Sequence, residues 1–394
     1  MIGFDAAIGL LDDRVAPLGT ERVPLNALPG RVLAEPVHAA VSAPRHAVSA
    51  MDGYALRNAD AALGARLRVV GASFAGGSPP PPIEPGECVR IFTGAALPAG
   101  ADRVVMQENC TADAADMVIT AEFGPGWHVR QAASDFAEGD LVLERGTHLC
   151  PRSIVALAGA DRADALVHQR PRVAIIATGD ELIAPGLARA NPLKIPESVS
   201  FGVAALAGQS GGDITARLSG ADDLAALHEL ADHALAAADV VVVTGGASVG
   251  ERDHAKAMFA HRGLELLFAK VAIKPGKPVW LGQAAGRWVL GLPGNPTSAM
   301  VTARLFLVPL LGLLQGRPLN AVLDWLTLPL AAPLPDAGQR TTFVRASLSQ
   351  SGLVSLGNQD SGAQAPLSRA TWLVRCDPTG EDEPPRATAR ALAF

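Results

Sequence analysis

The amino-acid sequence predicts a multi-domain chain: a doubly wound α/β domain over residues 171–317, a β-rich N-terminal region and a small C-terminal β-barrel. From Val173 to Gly316, apolar β-branched runs alternate with helical stretches, the order that builds a parallel sheet covered on both faces. Residues 40–150 carry short β-branched runs broken by Pro and Gly, and after about Leu319 short alternating strands return. The length, 394 residues, accommodates two to four domains at roughly 100–200 residues each.

In chain order, ECVRIFTGA and DRVVMQE supply strands of the β-rich region, interrupted by SPPPPIEPGE, whose prolines cannot enter a sheet interior. RVAIIATGDEL reads as a buried strand of five or six residues entering a polar loop. Ser198 to Gly211 predicts a helix ending in glycines. Asp222 to Ala238 predicts a second, opened by paired acids that favour the positive end of the helix dipole. DVVVVTGGASVG is a β-branched strand running into a Gly-rich loop, followed by a helix from about Arg252 to His261. LELLFAKVAIKPGKPVWLGQ and GRWVLGLPGNP give further strands. Pro296 to Leu314 gives a long apolar helix with Asn295 as N-cap and Pro296 at its first position. FVRASLSQSGLVSLG and ATWLVRC then fit a small barrel or sandwich.

Composition removes several function classes. Hydrophobic residues make up 49% and charged residues 18%, an ordinary globular balance. The formal net charge of −6 offers a nucleic-acid polyanion no attracting field, so no nucleic-acid partner is expected. The longest uncharged apolar run, Leu305 to Leu314, is ten residues with a proline, too short to span a bilayer. MIGFDAAIGLLDDR carries acids where a signal peptide needs basic residues, so the expectation is a cytoplasmic protein without a membrane. Cys88, Cys110, Cys150 and Cys376 show neither CxxC nor metal-ligand spacing, which argues for reduced thiols.

Ligands of open parallel sheets bind beyond the carboxyl ends of the strands. Three loops follow strands directly: TGDEL (178–182), TGGASVG (244–250) and PGNPTS (293–298). Their backbone N–H groups make phosphate or an oxyanion the expected guest, with Thr178, Gly179, Gly245, Gly246, Ser248, Gly250, Pro293, Gly294 and Asn295 as candidate contacts. TGGASVG is neither a Walker A loop nor GxGxxG, and alone its glycines need do no more than make a tight turn. Asp180, Glu181, Asp222 and Asp253 sit just past strands or at a helix start, either to hold Mg²⁺ or to cap helices. Only five residues are Lys against 28 Arg, yet Lys270, Lys274 and Lys277 cluster in AKVAIKPGKP, compact ammonium groups suited to an anion pocket. Asp52, Thr93, Arg130 and Asp135 are polar groups of the β-rich region, although Asp52–Gly53 is first of all a turn signal. No His lies beside a Ser or Cys in a way that suggests a hydrolase triad.

SAMDGYA, RIFTGAALPAGADRVVMQE, VAIIATGDEL, TGGASVGERDHAK, IKPGKP and GLPGNPTSA occur in the order and spacing of the MoeA family, the molybdopterin molybdenumtransferases related to the gephyrin E domain. The resemblance runs from about Leu28 to Trp372. It implies an elongated homodimer whose subunits divide into an N-terminal helix (1–25) packed on the α/β domain, a linker domain (26–45 and 140–170), a β-rich domain (46–139), a molybdopterin-binding α/β domain (171–317) and a C-terminal barrel (318–394). The implied reaction inserts molybdate into adenylylated molybdopterin with Mg²⁺-dependent release of AMP, downstream of a molybdopterin adenylyltransferase. The active site would lie between this α/β domain and the N-terminal domains of the other subunit. By position, Asp52, Thr93, Arg130 and Asp135 match the family's N-terminal functional residues. Glu181, Asp222 and Asp253 match its metal-binding acids, and Lys270 and Lys274 its basic groups. Lys274, Lys277, Ser298, Arg345 and Ser361 match its molybdate-binding set.

The sequence also departs from the family pattern. Where an Asp-Ser/Thr-Asn segment usually opens the helix after TGDEL, this chain has KIPESVS, with Pro196, Glu197 and Ser198 in that place. Around Asp135 the usual Gly-Glu-Asp is Ala-Ser-Asp. These changes motivate an alternative, a non-catalytic paralogue that binds molybdopterin or its cofactor as carrier or scaffold. A nucleotide pyrophosphatase or deamidase of the competence-damage type would share the α/β fold but lack the first 150 residues.

Overall fold

The computed structural model describes residues 1–113, 115–245, 254–335, 337–378 and 387–394. Helix α1 (Phe4–Arg14) buries Phe4, Ala7, Ile8 and Leu11, one apolar face at helical spacing. Phe4 meets Phe306 and Phe343 edge-on, at centroid distances of 6.0 and 5.0 Å, and Asp5 pairs with Arg375 at 2.6 Å. The helix therefore ties the α/β domain to the C-terminal sheet.

Thr20–Pro24 pairs antiparallel with Asp164–His168, and Val37–His38 with Leu141–Leu143. With helix α2 (Pro151–Gly159) they enclose a core of Val23, Leu28, Leu33, Val37, Leu149, Leu157, Ala165 and Val167. Between these crossings the chain folds a six-stranded sheet from Gly53–Leu56, Arg66–Ser73, Glu87–Ile91, Arg103–Met106, Cys110–Ala112 and Asp116–Ile119. Gly53 heads a strand, and a Cβ there would lie 2.0 Å from the Val105 carbonyl oxygen. Glycine is needed here for the close approach of the two backbones.

The α/β domain is built on β1 (Arg172–Thr178), β2 (Asp213–Gly220), β3 (Val240–Thr244), β4 (Glu265–Phe268), β5 (Trp280–Ala284) and β6 (Arg287–Leu292), in the order β2-β1-β3-β6-β5-β4. Alternate residues of β1 and β3 face opposite cores. Val173, Ile175, Val240 and Val242 pack under α1, α3 (Val199–Gln209) and the long C-terminal helix. Ala174, Ile176, Val241 and Val243 pack under α4 (Leu224–Ala237). Both faces are covered, as a doubly wound domain requires, and each fully buried valine contributes roughly 1.5–3 kcal/mol.

Two expectations for this domain are corrected. The sheet is mixed, because β5 runs antiparallel to both of its neighbours, β6 and β4. Ala285 and Gly286, at φ +48° and +73°, close a two-residue hairpin between paired Ala284 and Arg287, leaving no length for a crossover helix. The helix expected from about Arg252 is a 3₁₀ segment at Ala257–Arg262, while 252 and 253 lie outside the described residues.

Helix α5 spans Pro296–Leu314, with a π segment at Ala303–Leu307. The π turn lies just ahead of Pro309, where an ordinary helix would lose a donor and meet a ring clash. α5 is long and apolar enough to cross a membrane, but 83% of its apolar window is buried inside the protein, so it serves as the core helix. Asn295 stands at its N-cap position without capping; its Nδ2 donates to Ser361 Oγ at 3.0 Å instead.

Leu326–Pro329, Thr341–Ser349, Gly352–Ser355, Trp372–Cys376 and Thr388–Ala393 join Ile273–Lys274 in a C-terminal six-stranded mixed sheet. Leu330, just past the first of these strands, bridges Leu353.

Candidate active site

The carboxyl ends of β1, β3 and β6 converge at the point where strand order reverses, the place such sheets reserve for ligands. Gly245 adopts φ +97°, and a Cβ there would lie 2.4 Å from the Thr178 carbonyl oxygen. A Cβ on Gly294 would come within 3.5 Å of the Gly245 Cα. The three loops pack closely, and at Gly245 both the positive φ and the approach to the Thr178 carbonyl require glycine. They wall a cleft of about 850 Å³ lined by Thr178, Gly179, Glu181, Asp222, Gly245, Lys270, Lys277, Pro293, Gly294 and Asn295, all expected from the sequence. Gly246, Ser248, Gly250 and Asp253 lie outside the described residues.

Each acid takes a distinct position. Asp223 caps α4, its Oδ1 accepting the Ala226 N–H at 2.9 Å, so Asp222 is free of that task and lines the cleft. Asp180 turns to the other side of its loop, where its Oδ1 accepts the Asp222 N–H at 3.1 Å. Glu181 and Asp222 are hard oxygen donors lining the same cleft as Gly179, Gly245 and Gly294. Mg²⁺ typically takes one or two carboxylates plus substrate phosphates, so this pair fits it. Among the described residues no group of three or more His, Cys, Asp or Glu could hold a metal, which argues against an all-protein cage.

The sequence reading missed Glu197. Its side chain is buried, its carboxylate accepts the Ser200 N–H at 2.7 Å and the Ser200 hydroxyl at 2.6 Å, and it lines the cleft. A carboxylate at this place in KIPESVS opens α3 as a capping acid would. The signal was a lone acid three residues ahead of a serine at a helix start.

Lys270 and Lys277 reach the cleft, whereas Lys274 is exposed on the strand Ile273–Lys274 and absent from the described lining. Ser298 is buried in the first turn of α5. Arg345, expected as a molybdate contact, is absent from the described lining of the cleft and bonds to the protein groups around it. It is fully buried, its Nη1 donates to Thr297 Oγ1 at 3.1 Å, and its Nη2 donates to the carbonyls of Asn358 and Asp360, each at 3.1 Å. Burial depresses its pKa. The guanidinium thereby fastens the loop that carries Ser361 and lays Gly362 and Gln364 along the cleft wall.

The N-terminal group assembles elsewhere. The Asp52 carboxylate accepts both the N–H and the hydroxyl of Thr93 at 2.7 Å, and these bonds hold its pKa below the usual range. Arg130 pairs across to Val48, and the N–H of Asp135 donates to the Ala43 carbonyl, so all four flank residues 43–52. None of them is among the described lining of the cleft.

A doubly wound domain with a glycine-walled cleft of about 850 Å³ at its switch point, flanked by two β-rich parts, defines a multi-domain α/β protein with a cleft large enough for a small-molecule ligand. Residues 2–160 match the family model described as the MoeA N-terminal region (domain I and II), and residues 174–312 that of the probable molybdopterin binding domain. The chain is 35% identical to the molybdopterin molybdenumtransferase of Haemophilus influenzae over 312 residues, covering 78% of this chain and 76% of that protein. It is 31% identical to the molybdopterin molybdenumtransferase of Synechococcus elongatus over 395 residues, covering 97% and 96%. Among solved structures, the molybdopterin biosynthesis moeA protein of Pyrococcus horikoshii OT3 superposes over 100% of both chains, with TM-score 0.85 and 25% identity. The chain belongs to the MoeA family of molybdopterin molybdenumtransferases.

Proposed function

We propose that this protein is a molybdopterin molybdenumtransferase that inserts molybdate into adenylylated molybdopterin and releases AMP. The observation carrying this reading is the cleft at the β1/β3 switch point, where glycine loops, Glu181, Asp222, Lys270 and Lys277 face one another. Loop N–H groups hold the two phosphates. The ammonium groups of Lys270 and Lys277 draw in the molybdate dianion. A bound Mg²⁺ would supply electrostatic stabilisation at the pyrophosphate, and Glu181 and Asp222 would hold it. The P–O bond to the adenylyl group then breaks as water oxygen bonds to phosphorus, and AMP leaves.

The site is completed by Asp52, Thr93, Arg130 and Asp135 of a second copy in a homodimer. Their separation from the cleft of their own chain supports this reading. The C-terminal sheet is read as a barrel closed through the Leu330–Leu353 bridge. A molybdopterin adenylyltransferase is the expected supplier of substrate, and the cytoplasm, where thiols stay reduced, is the expected setting. The test mixes purified protein with adenylylated molybdopterin, Mg²⁺ and molybdate and follows AMP by chromatography. Molybdate-dependent AMP is expected, with Glu181→Gln slower by about 100-fold or more. Bound pterin without AMP would sink the transferase and leave the carrier reading.

A further inference from the structure

Beside the C-terminal half of α5, positive charge gathers that no described acid answers. Arg304, in the π segment, donates from Nε to the Ala393 carbonyl at 2.7 Å and from Nη2 to the Val322 carbonyl at 3.4 Å. Arg317, three residues past the helix, donates from Nη2 to the Ala321 carbonyl at 3.1 Å. The two guanidinium groups therefore sit on consecutive carbonyls of the short helix Leu319–Val322. Among the described residues neither has a carboxylate partner, and Arg304 Nη1 is buried without an acceptor. Burial, then the Arg317 charge, pushes the Arg304 pKa down to about 10, and burial lowers that of Arg317. The linker strands close over the same place. A Cβ on Gly146 would lie 3.3 Å from the Gly316 carbonyl oxygen, and at His148 partial desolvation, then the Arg317 charge, lowers the pKa. Like charges drawn out of water side by side, with a donor unused, are costly until an anion joins them.

We propose that Arg304, Arg317 and His148 bind a phosphate-sized oxyanion, which clamps the α/β domain, the linker strands and the C-terminal sheet together. A tetrahedral oxyanion offers several acceptors to converging guanidinium donors. Arg304 Nη1 and the Arg317 N–H groups outside the Ala321 bond supply those donors. His148, exposed at the edge of the group, gives the ion a way in from solvent. Each part of the fold holds one contributor. Arg304 belongs to α5, its Ala393 anchor to the last strand of the C-terminal sheet, and His148 follows the linker strand Leu141–Leu143. The site is separate from the cleft. Arg304 stands about 12 Å along α5 from Pro296, at 1.5 Å per residue, and Arg317 lies past the far end of the helix. None of the three is among the described lining of the cleft. The inference goes beyond the transferase reading and does not depend on it.

The test titrates inorganic phosphate by calorimetry at constant ionic strength. The protein carries Lys270→Ala and Lys277→Ala, which remove oxyanion binding in the cleft, and is compared with and without Arg317→Gln. The double lysine variant should keep one phosphate site. Adding Arg317→Gln should weaken that site about tenfold or more, and Arg304→Gln should act alike. Arg317→Lys, which keeps the charge and loses the fork, should recover only part of the affinity. The thermal midpoint, read by circular dichroism, should climb with phosphate in the double lysine variant and stay level once Arg317→Gln is added. A merely structural arginine would lower both midpoints and leave their response to phosphate the same. No phosphate binding in the double lysine variant, or unchanged affinity after Arg317→Gln, overturns the site. Neither result touches AMP release, which reports on the transferase reading separately.

Discussion

Cys150 shows how local bonds decide reactivity. The Ser153 hydroxyl, then the Ser153 N–H, stabilise its thiolate at the start of α2 and lower its pKa to about 7. Burial pushes Cys88 up to about 12 and Cys110 up to about 11. Iodoacetamide at pH 7.5 should therefore alkylate Cys150 well ahead of Cys88 and Cys110, with a rate that rises through about pH 7, read by peptide mass spectrometry. Labelling of Cys88 first would contradict this. The same local logic sets what single residues revealed in the sequence. Thr178, Glu181 and Gly294 were legible because loop and strand end lie next to each other in the chain. The partners of Arg345 were not, because its acceptors on residues 297, 358 and 360 meet it only through tertiary packing.

Elements follow the same division. β1 and β3 announce themselves as β-branched runs buried on both faces, and α4 by its acidic start. β2 was passed over because DITARLSG is an edge strand that alternates exposed and half-buried residues and carries no apolar run. At the opposite end of β3 from the cleft, Asp239 joins three strands. Its carboxylate accepts the Arg172 N–H at 3.0 Å, Arg172 Nε and Nη2 at 3.1 and 2.9 Å, and Arg287 Nη1 at 3.0 Å. Burial alone would raise its pKa, but the Arg172 bonds and both guanidinium charges outweigh burial and lower it. A carboxylate whose folded pKa is depressed stabilises the fold above its unfolded value, near 4, and loses that contribution as pH falls through the folded value. Asp239→Asn should cost on the order of 2 kcal/mol in urea unfolding at pH 7. The gap to wild type should shrink below about pH 4. A gap constant down to pH 2.5 would mean the charge contributes nothing.

At the scale of the molecule, one chain holds two groups of polar residues, and the second is not among the described lining of the cleft. The cleft contributes glycine loops, acids and lysines, and the group around residues 43–52 contributes Asp52, Thr93, Arg130 and Asp135. Both groups could be named from the sequence, but not that they fall in different parts of the chain's fold, because the linker strands that part them are a product of tertiary pairing. If the second half comes from a partner copy, two defects on different chains must complement. Asp52→Ala and Glu181→Ala homodimers should each be inactive. A heterodimer of the two has one site built from intact Glu181 of one chain and intact Asp52 of the other, and a second site lacking both. Unfolding and refolding an equal mixture gives half heterodimers by chance, so AMP release should return to about a quarter of wild type. Light scattering should find a dimer before and after. If the two halves instead serve one chain, every species in the mixture keeps a defect in each site, and no activity returns.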